Sequence, residues 1–599
     1  MDEYWCKVVS ELQDYRPGPN KDCPYYYCHF DGQDCSLCFC PLYPCMDPRL
    51  GGMVVSKRGT EVWSCESCLW IHRGEVAKEL AKRIAPTATP PPRSELEHVK
   101  KEVEALHPVS AMPIMVLGAT SGAGKSLLAA ALCRLFSDMG LNVAPFKSQN
   151  MSLNSMVTPQ GGEISRAQAL QAVAARTEPD HHMNPILLKP KRDDVSQVIV
   201  DGKPYRDMDV RTYYGEFTLG EGTEIVKRAW EFLRRTRDVV VIEGAGSPAE
   251  INILDRDIAN MKAAEIAQAP CLLVVNMEWG GAFAYAFGTV DLLPPEHRRM
   301  IKGIILNNMY GDATCLDEGI RELESRLGIP VLGVVPHVEH FLPDEDSQDL
   351  AKEKGSGELK VGVIMLPRIA NFTDLDALAL EGVKVIYVKE VRSLQGVDAV
   401  IIPGTKNTVA DLRWLHEKGL FEAIRSLRGK VPILGICGGY QMLGKEVIDL
   451  NGVEGDEGAS WEGLGLLDIT TNFEFYEKRT TQVTGRLAVG SGEVRGYEIH
   501  MGLSQSRESP LFYLRENGSE KAEGAISADG MVMGSYVHGL FDLPAFRSAF
   551  LSKIPYRESK DVLPHDYDRS VQEGLDALAS VVGSSLDMNR LLAILKEGL

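Results

Sequence analysis

Four groups of residues in this chain have the types and spacing to do chemistry. The first, Gly118-Ala-Thr-Ser-Gly-Ala-Gly-Lys-Ser126, is a glycine-rich run closed by a lysine and a hydroxyl. Backbone N–H groups of such a loop cradle phosphates, the lysine reaches the outer phosphates and the serine ligates magnesium. Gly118, Thr120, Ser121, Gly122, Ala123, Gly124, Lys125 and Ser126 are therefore the candidate ATP site. Five residues separate Gly118 from Gly124, one more than the strict pattern allows. In Val239-Val-Val-Ile-Glu-Gly-Ala-Gly246 an unbroken apolar run puts Glu243 at the carboxyl end of a buried strand, where an open α/β sheet binds its ligands. Ser126 and Glu243 are the candidate Mg²⁺ ligands. Lys147-Ser-Gln-Asn-Met-Ser-Leu-Asn-Ser155 offers one cation and a row of hydrogen-bond donors, suited to an anionic, carboxylate-rich ligand. Lys147, Gln149, Asn150 and Ser152 are candidates for holding substrate or phosphoryl group, although the segment alone also reads as a polar loop with asparagine turns.

The second half carries a nucleophile. Val431-Pro-Ile-Leu-Gly-Ile-Cys-Gly-Gly-Tyr-Gln-Met-Leu443 reads as strand, tight Gly-x-Cys-x-Gly turn and helix. That geometry lifts Cys437 above a sheet at a helix N-terminus, where the dipole favours thiolate. The N–H of Gly438, joined by the turn at Gly404, would face an oxyanion. A base is still required, and His538 in Gly534-Ser-Tyr-Val-His-Gly-Leu-Phe541 is the best candidate.

The fourth group is at the start of the chain. Of thirteen cysteines, nine fall between Cys6 and Cys68. Cys23-x4-Cys28, Cys35-x2-Cys38-x-Cys40-x4-Cys45 and Cys65-x2-Cys68 supply ligands for two tetrahedral metal sites. Zinc is the default occupant; an iron–sulfur cluster is the alternative.

These residues need elements to position them. At 599 residues the chain is too long for one core, and 44% hydrophobic with 25% charged residues is an ordinary globular composition. Residues 1–84 form a Cys/Tyr/Pro-rich module too poor in aliphatic side chains for an ordinary core, so metal is expected to organise it. Residues 85–112 are a proline-rich spacer and a helix, with Ser94 and Glu97 as a capping box and Leu96, Val99, Val103 and Leu106 at helical spacing. From 113 to 345, apolar runs alternate with amphipathic stretches, the signature of a parallel sheet covered by helices. Polar residues 343–358 make a second linker. A second α/β series, with strands at 360–366, 383–388, 399–402 and 431–436, occupies 359–555, and 556–599 is a helical tail. The fold class is thus two doubly wound α/β domains plus a small metal-stapled module.

Composition also excludes. A net charge of −19 without a basic patch argues against nucleic acid as a partner. The start lacks a basic segment followed by an apolar run, and nowhere do about 18 apolar residues run together, so a cytoplasmic protein without membrane contact is expected.

The loop's variant spacing resembles the dethiobiotin synthetase branch of P-loop enzymes, which phosphorylate carboxylates or carbamates. The Cys437 domain resembles class I glutamine amidotransferases, with Leu540 where those enzymes usually carry the third catalytic residue, a glutamate. Taken together, Phe146-Lys-Ser-Gln-Asn-Met-Ser-Leu-Asn-Ser155, Met183-Asn-Pro-Ile-Leu-Leu-Lys-Pro190, Glu243-Gly-Ala-Gly-Ser-Pro-Ala-Glu-Ile-Asn252, Leu366-Pro-Arg-Ile-Ala-Asn-Phe-Thr-Asp374, Pro403-Gly-Thr-Lys-Asn-Thr408 and Arg495-Gly-Tyr-Glu-Ile-His-Met-Gly502 resemble the glutamine-dependent cobyric acid synthases from about 113 onward. The cysteine module resembles a small domain fused to archaeal members. The resemblance implies a Cys–His pair without that glutamate, ATP and glutamine as substrates, and amidation of the b, d, e and g carboxylates of adenosylcobyrinic acid a,c-diamide, a corrinoid. An a,c-diamide synthase acting on cobyrinic acid or a nickel tetrapyrrole stays open, as do a non-catalytic regulatory protein and a homo-oligomer. One motif departs: Asn276-Met-Glu-Trp-Gly-Gly281 stands where the family has Asp-Ile-Asp-Arg-Gly-Gly. If that first Asp binds magnesium, Asn276 weakens metal binding.

Overall fold

The computed structural model describes residues 2–599 except 27, 31, 57, 58, 67, 193, 339–341, 344–353, 356, 455–458, 475, 517 and 555–564. Most of the polar stretch 343–358 therefore lies outside the described residues.

Strands that are apolar on both faces can be covered on both sides, the condition for a parallel sheet. Six of them make the first sheet, in the spatial order Val331–Pro336, Ile301–Met309, Cys271–Asn276, Met112–Gly118, Val239–Glu243 and Val143–Phe146. Every neighbouring pair is parallel. Met112–Gly118 and Val239–Glu243 are adjacent, with Glu243 in register with Val116. The phosphate loop and Glu243 thus leave the same edge side by side. A second six-stranded sheet runs Val383–Val388, Leu359–Ile364, Ala399–Ile402, Ile433–Ile436, Val532–Ser535 and Ala525–Ile526, parallel except for the last pair.

Two further sheets, the first mixed and the second antiparallel, accompany this second sheet, where the sequence reading has an alternating strand-and-helix series alone. Four strands between Glu446 and Ser506 form one, and Ser519–Glu523, Phe512–Glu516, Arg479–Leu487, Glu493–His500 and Val537–His538 form the other. His538 is held there by pairing with Tyr497. The tail helix Tyr567–Ser585 crosses to the first domain, where Gln572 accepts a hydrogen bond from Arg134 at 2.5 Å. No helix among the described residues is long and apolar enough to cross a membrane.

The cysteine module departs from the reading that it lacks a core. Trp5, Val8, Leu12, Trp70, Ile71, Val76 and Leu80 are buried together, and the helix Arg93–Leu106 adds Leu96, Val99 and Val103. The apolar side chains came from the flanking helices, which the composition of the cysteine-rich stretch could not reveal. The capping box is not formed. The helix starts at Arg93 behind Pro92, so Ser94 is already inside it and makes no cap. Leu106 is 46% exposed, outside the buried stripe.

The module is docked on the amino-terminal end of the first sheet. Arg73, with 1% of its side chain exposed, pairs with the fully buried Asp238, which also accepts from His107 Nδ1 at 3.0 Å and the Asn142 N–H at 2.9 Å. Arg73 also donates to the carbonyl of Pro108 at 2.9 Å. Removing one partner of such a pair leaves a buried charge uncompensated, costing about 3–5 kcal/mol. Arg73→Met is therefore expected to lower the thermal midpoint and free the module to limited proteolysis; an unchanged midpoint and cleavage pattern would show that this pair does not hold it.

Candidate functional site

The first site is built where the loop after Met112–Gly118 meets the helix Lys125–Asp138. Gly124 has φ +90°, and a Cβ there would lie 2.1 Å from the Asn307 amide, so only glycine closes this turn. Lys125 Nζ donates to the carbonyls of Gly246 at 2.9 Å and Thr120 at 3.2 Å. Glu243 Oε1 accepts from Ser126 Oγ and from Lys147 Nζ, both at 2.7 Å, while Oε2 accepts from Gln168 at 3.1 Å and from Gln171. Burial alone would raise the Glu243 carboxyl, but Lys147 and these donors hold it below its ordinary range. A cavity of about 520 Å³ opens here, lined by Ser121, Gly122, Gly124, Lys125, Ser126, Lys147, Asn150 and Glu243 among others.

The other candidates stand around this cavity rather than on it. Thr120 and Ala123 support the loop through their carbonyls, the second accepting from Asn307 at 3.0 Å. A Cβ on Gly118 would fall 2.8 Å from Lys125 Nζ, so its bareness makes room for the lysine. Gln149 accepts from the Tyr213 hydroxyl at 2.6 Å, and Ser152 donates to the Asn154 carbonyl at 3.2 Å. Neither lines this cavity. Asn276 donates to the Gly122 carbonyl at 3.0 Å, a bond that a carboxylate could not make. It buttresses the loop backbone. Trp279 covers the loop, its ring 2.8 Å from where a Gly122 Cβ would be.

The second site forms at the carboxyl edge of the second sheet. Cys437 has φ +52° and ψ −108°, a strained turn between the strand Ile433–Ile436 and the helix Gly438–Leu443. A Cβ on Gly439 would lie 1.9 Å from the Ile402 carbonyl, which is why the elbow needs that glycine. Gly404 touches both candidate catalytic residues: its Cβ position is 3.1 Å from His538 Cε1 and 3.7 Å from Cys437 Cβ. Gly438 abuts Thr405, with its Cβ position 3.2 Å from the Thr405 nitrogen. Cys437, His538, Gly404 and Gly438 all line one cavity of about 50 Å³.

Position 540 carries no acid, yet the histidine has one. Asp374 Oδ2 lies 2.7 Å from His538 Nδ1, and Oδ1 accepts from the Gly539 N–H at 2.8 Å. The glutamate is missing, as Leu540 implies, and a carboxylate from 164 residues upstream stands on the histidine instead. Asp374 closes the Leu366–Asp374 motif, and that was its only signal in the sequence. Burial alone would lower the imidazole pKa, but the Asp374 carboxylate and the Cys437 sulfur raise it to about 10. A protonated His538 therefore faces the cysteine at neutral pH.

Charged groups that the sequence reading did not single out also wall this cavity, among them Lys189, Lys406, Glu454 and Lys478. Glu163, fully buried, binds Lys189 at 2.5 Å and pairs with Lys478 across the domain boundary. Burial pushes the Lys478 ammonium down to about 7 even though Glu163 opposes it.

Eight of the nine module cysteines, all but Cys6, fall into two neighbourhoods. Cys40, Cys45, Cys65 and Cys68 line a cavity of about 230 Å³, which Cys38 of the second set also borders. Cys23, Cys28 and Cys35 act electrostatically on Cys38, whose thiol is raised first by burial and then by Glu11 and these neighbours. Among the described residues, no three of these sulfurs lie within 4.8 Å of one another.

A phosphate-binding loop and a cysteine–histidine–aspartate centre in one chain define the class: a glutamine-dependent amide ligase. Residues 114–349 match the CobQ/CobB/MinD/ParA nucleotide binding domain, 360–546 the CobB/CobQ-like glutamine amidotransferase domain and 14–90 the cysteine-rich small domain. The chain is 46% identical over 494 residues to the probable cobyric acid synthase of Methanosphaerula palustris, covering 81% of this chain and 99% of that protein. It is 46% identical over 504 residues to the cobyric acid synthase of Dehalococcoides mccartyi, covering 81% and 99%. For that of Moorella thermoacetica the figures are 46% over 507 residues, 81% and 97%. The chain belongs to the cobyric acid synthase family.

Two substitutions separate the sites. Asp374→Asn leaves burial to pull the His538 proton off at lower pH, so Cys437 alkylation at neutral pH and glutaminase kcat are both expected to fall, the latter about 100-fold or more; rates within twofold of the parent would remove Asp374 from the centre. Glu243→Gln is expected to abolish ATP turnover while glutamine hydrolysis persists, measured as ADP and glutamate release; retained ADP release would contradict the role of Glu243.

Proposed function

We propose that this enzyme uses ATP and glutamine to amidate the b, d, e and g carboxylates of adenosylcobyrinic acid a,c-diamide, yielding adenosylcobyric acid in the cytoplasm. The observation that carries this reading is the pairing, in one chain of this family, of the Cys437–His538–Asp374 centre with the Lys125, Ser126, Lys147 and Glu243 pocket.

A carboxylate is a poor electrophile, so it must first be activated. Its oxygen attacks the γ-phosphorus of ATP, giving an acyl phosphate and ADP. Lys125, Lys147 and the loop N–H groups stabilise the charge on the transferring group. Ser126 Oγ and Glu243 Oε1, hard oxygens 2.7 Å apart beside the loop, fit Mg²⁺ as the ion they would hold. When bound, it would neutralise charge between the phosphates.

Ammonia comes from the second site. The Cys437 sulfur attacks the glutamine side-chain carbonyl, and the Gly438 and Gly404–Thr405 backbone faces the oxyanion. His538 gives its proton to the departing nitrogen, and water then cleaves the thioester to glutamate. Ammonia displaces phosphate from the acyl phosphate, forming the amide.

For the module, eight thiols in two neighbourhoods fit two structural Zn²⁺ ions, with binding drawing each set of four sulfurs together. Native mass spectrometry is expected to find two zinc ions per chain, lost with the melting of the module on chelation; iron with sulfide would overturn this assignment.

The deciding experiment incubates adenosylcobyrinic acid a,c-diamide with the protein, ATP, Mg²⁺ and glutamine, and follows the corrinoid mass. Four successive amidations are expected. With Cys437→Ala they should cease with glutamine and return with ammonia. A folded, metal-replete protein that amidates nothing would refute this function.

A further inference from the structure

The proposed reaction needs a place where one large substrate meets both the phosphate loop and the ammonia, and neither centre described above contains it. A third cavity, of about 490 Å³ and open to solvent on one side, lies between both domains and the tail. Arg166 and Leu170 of the helix Arg166–Ala174 line it from the first domain, Val483 and Tyr497 from the antiparallel strands, and Val571 from the tail helix. Arg166 and Leu170 also line the 520 Å³ phosphate-loop cavity, so the two spaces adjoin. On the opposite side, Tyr497 stacks on His538 with ring centroids 5.4 Å apart. That single layer of side chains separates this space from the cavity of Cys437.

The lining has the character of a flat, apolar ligand with acidic arms. Met156, Val173, Val483 and Val571 supply an apolar wall. Arg166 supplies positive charge, and a guanidinium pairs a carboxylate through charge-assisted hydrogen bonds. Its acidic neighbour Asp542 does not cancel that charge fully, because burial raises the Asp542 carboxyl to about 7. Arg495 stands at the exposed side, paired with Asp568.

We propose that this interdomain cleft binds the corrinoid substrate, with the macrocycle against the apolar wall, Arg166 on one peripheral carboxylate and the carboxylate to be amidated directed into the phosphate-loop cavity. The inference rests on the amidation reading above and adds to it a site and a carboxylate-recognising residue. With each cavity inside the 300–1,000 Å³ range of small-molecule sites, the pair accommodates a macrocycle and a nucleotide side by side. Four carboxylates around one ring require the ring to be released and rebound, or turned, between steps, and a cleft between domains allows that.

The test is calorimetric titration of the full chain with adenosylcobyrinic acid a,c-diamide. Losing a charge-assisted bond in Arg166→Gln is expected to raise the Kd about ten- to a hundredfold. Thr484, exposed and lining the cleft alone, offers a second variant: Thr484→Trp is expected to raise the Kd at least about tenfold by filling space while leaving ATP-analogue affinity unchanged. Should Arg166→Gln fail to fold, Thr484→Trp decides. Parent-like corrinoid affinity in the folded variants would overturn the cleft and leave the amidation reading standing. A parent protein that neither binds nor amidates the corrinoid would overturn both.

Discussion

The buried hydrogen bond from His538 to Asp374 is the contact on which the rest of this structure depends. It charges the imidazole that faces Cys437, and it exists only because two distant segments are brought together. His538 hangs on the edge of an antiparallel sheet, paired with Tyr497. Asp374 sits on a short turn fastened to the other domain, where Asn371 Oδ1 accepts from the Ser155 N–H at 3.0 Å and Thr373 Oγ1 donates to Asn154 Oδ1 at 3.0 Å. The glutaminase centre is therefore held in part by the domain that binds phosphate. The neighbouring Glu163 with Lys189 and Lys478 has the same effect. A buried charge cluster adds little net stability but is costly to separate, so it selects one docking of the two domains.

This dependence gives the amidation chemistry its layout. The Cys437 cavity, the Tyr497–His538 layer, the proposed corrinoid cleft and the phosphate-loop cavity lie in sequence, each sharing residues with the next. Ammonia released into bulk water at neutral pH becomes mostly ammonium, which has no lone pair for attack. The amidation reading therefore requires ammonia to cross the Tyr497–His538 layer to the acyl phosphate without entering bulk water. The cysteine module stands apart, docked through Arg73 and Asp238 at the opposite end of the first sheet from the phosphate loop. That position suits a stabilising element more than a reacting one.

Much of this was legible in the residues. Residues 239–242 and 431–436 are read as strands because of their apolar runs, and Gly-x-Cys-x-Gly or Gly-Lys-Ser after such a run fixes the turn that follows; the structure has strands at Val239–Glu243 and Ile433–Ile436. What escaped were features built from long-range contact. Asp374 serves a histidine 164 positions away, and no local spacing marks it. The two added sheets escaped because their strands carry exposed positions between buried ones instead of unbroken apolar runs. The module's core escaped because its apolar residues are spread over helices that flank the cysteines. Gln149 and Ser152 matched a polar ligand by composition, yet the chain turns them toward Tyr213 and the Asn154 carbonyl. The hydrogen bond that Asn276 donates to the phosphate loop is likewise invisible in the motif.

The most direct measurement of the central claim, that two coupled centres pass ammonia internally to a corrinoid, is an isotope competition. Glutamine labelled with ¹⁵N in its side-chain amide is supplied with ATP, adenosylcobyrinic acid a,c-diamide and an excess of unlabelled ammonium, and the product amides are weighed by mass spectrometry. The account predicts amides that are almost wholly ¹⁵N despite the excess. Amides carrying the isotope ratio of the bulk solution, or no amides at all, would contradict it.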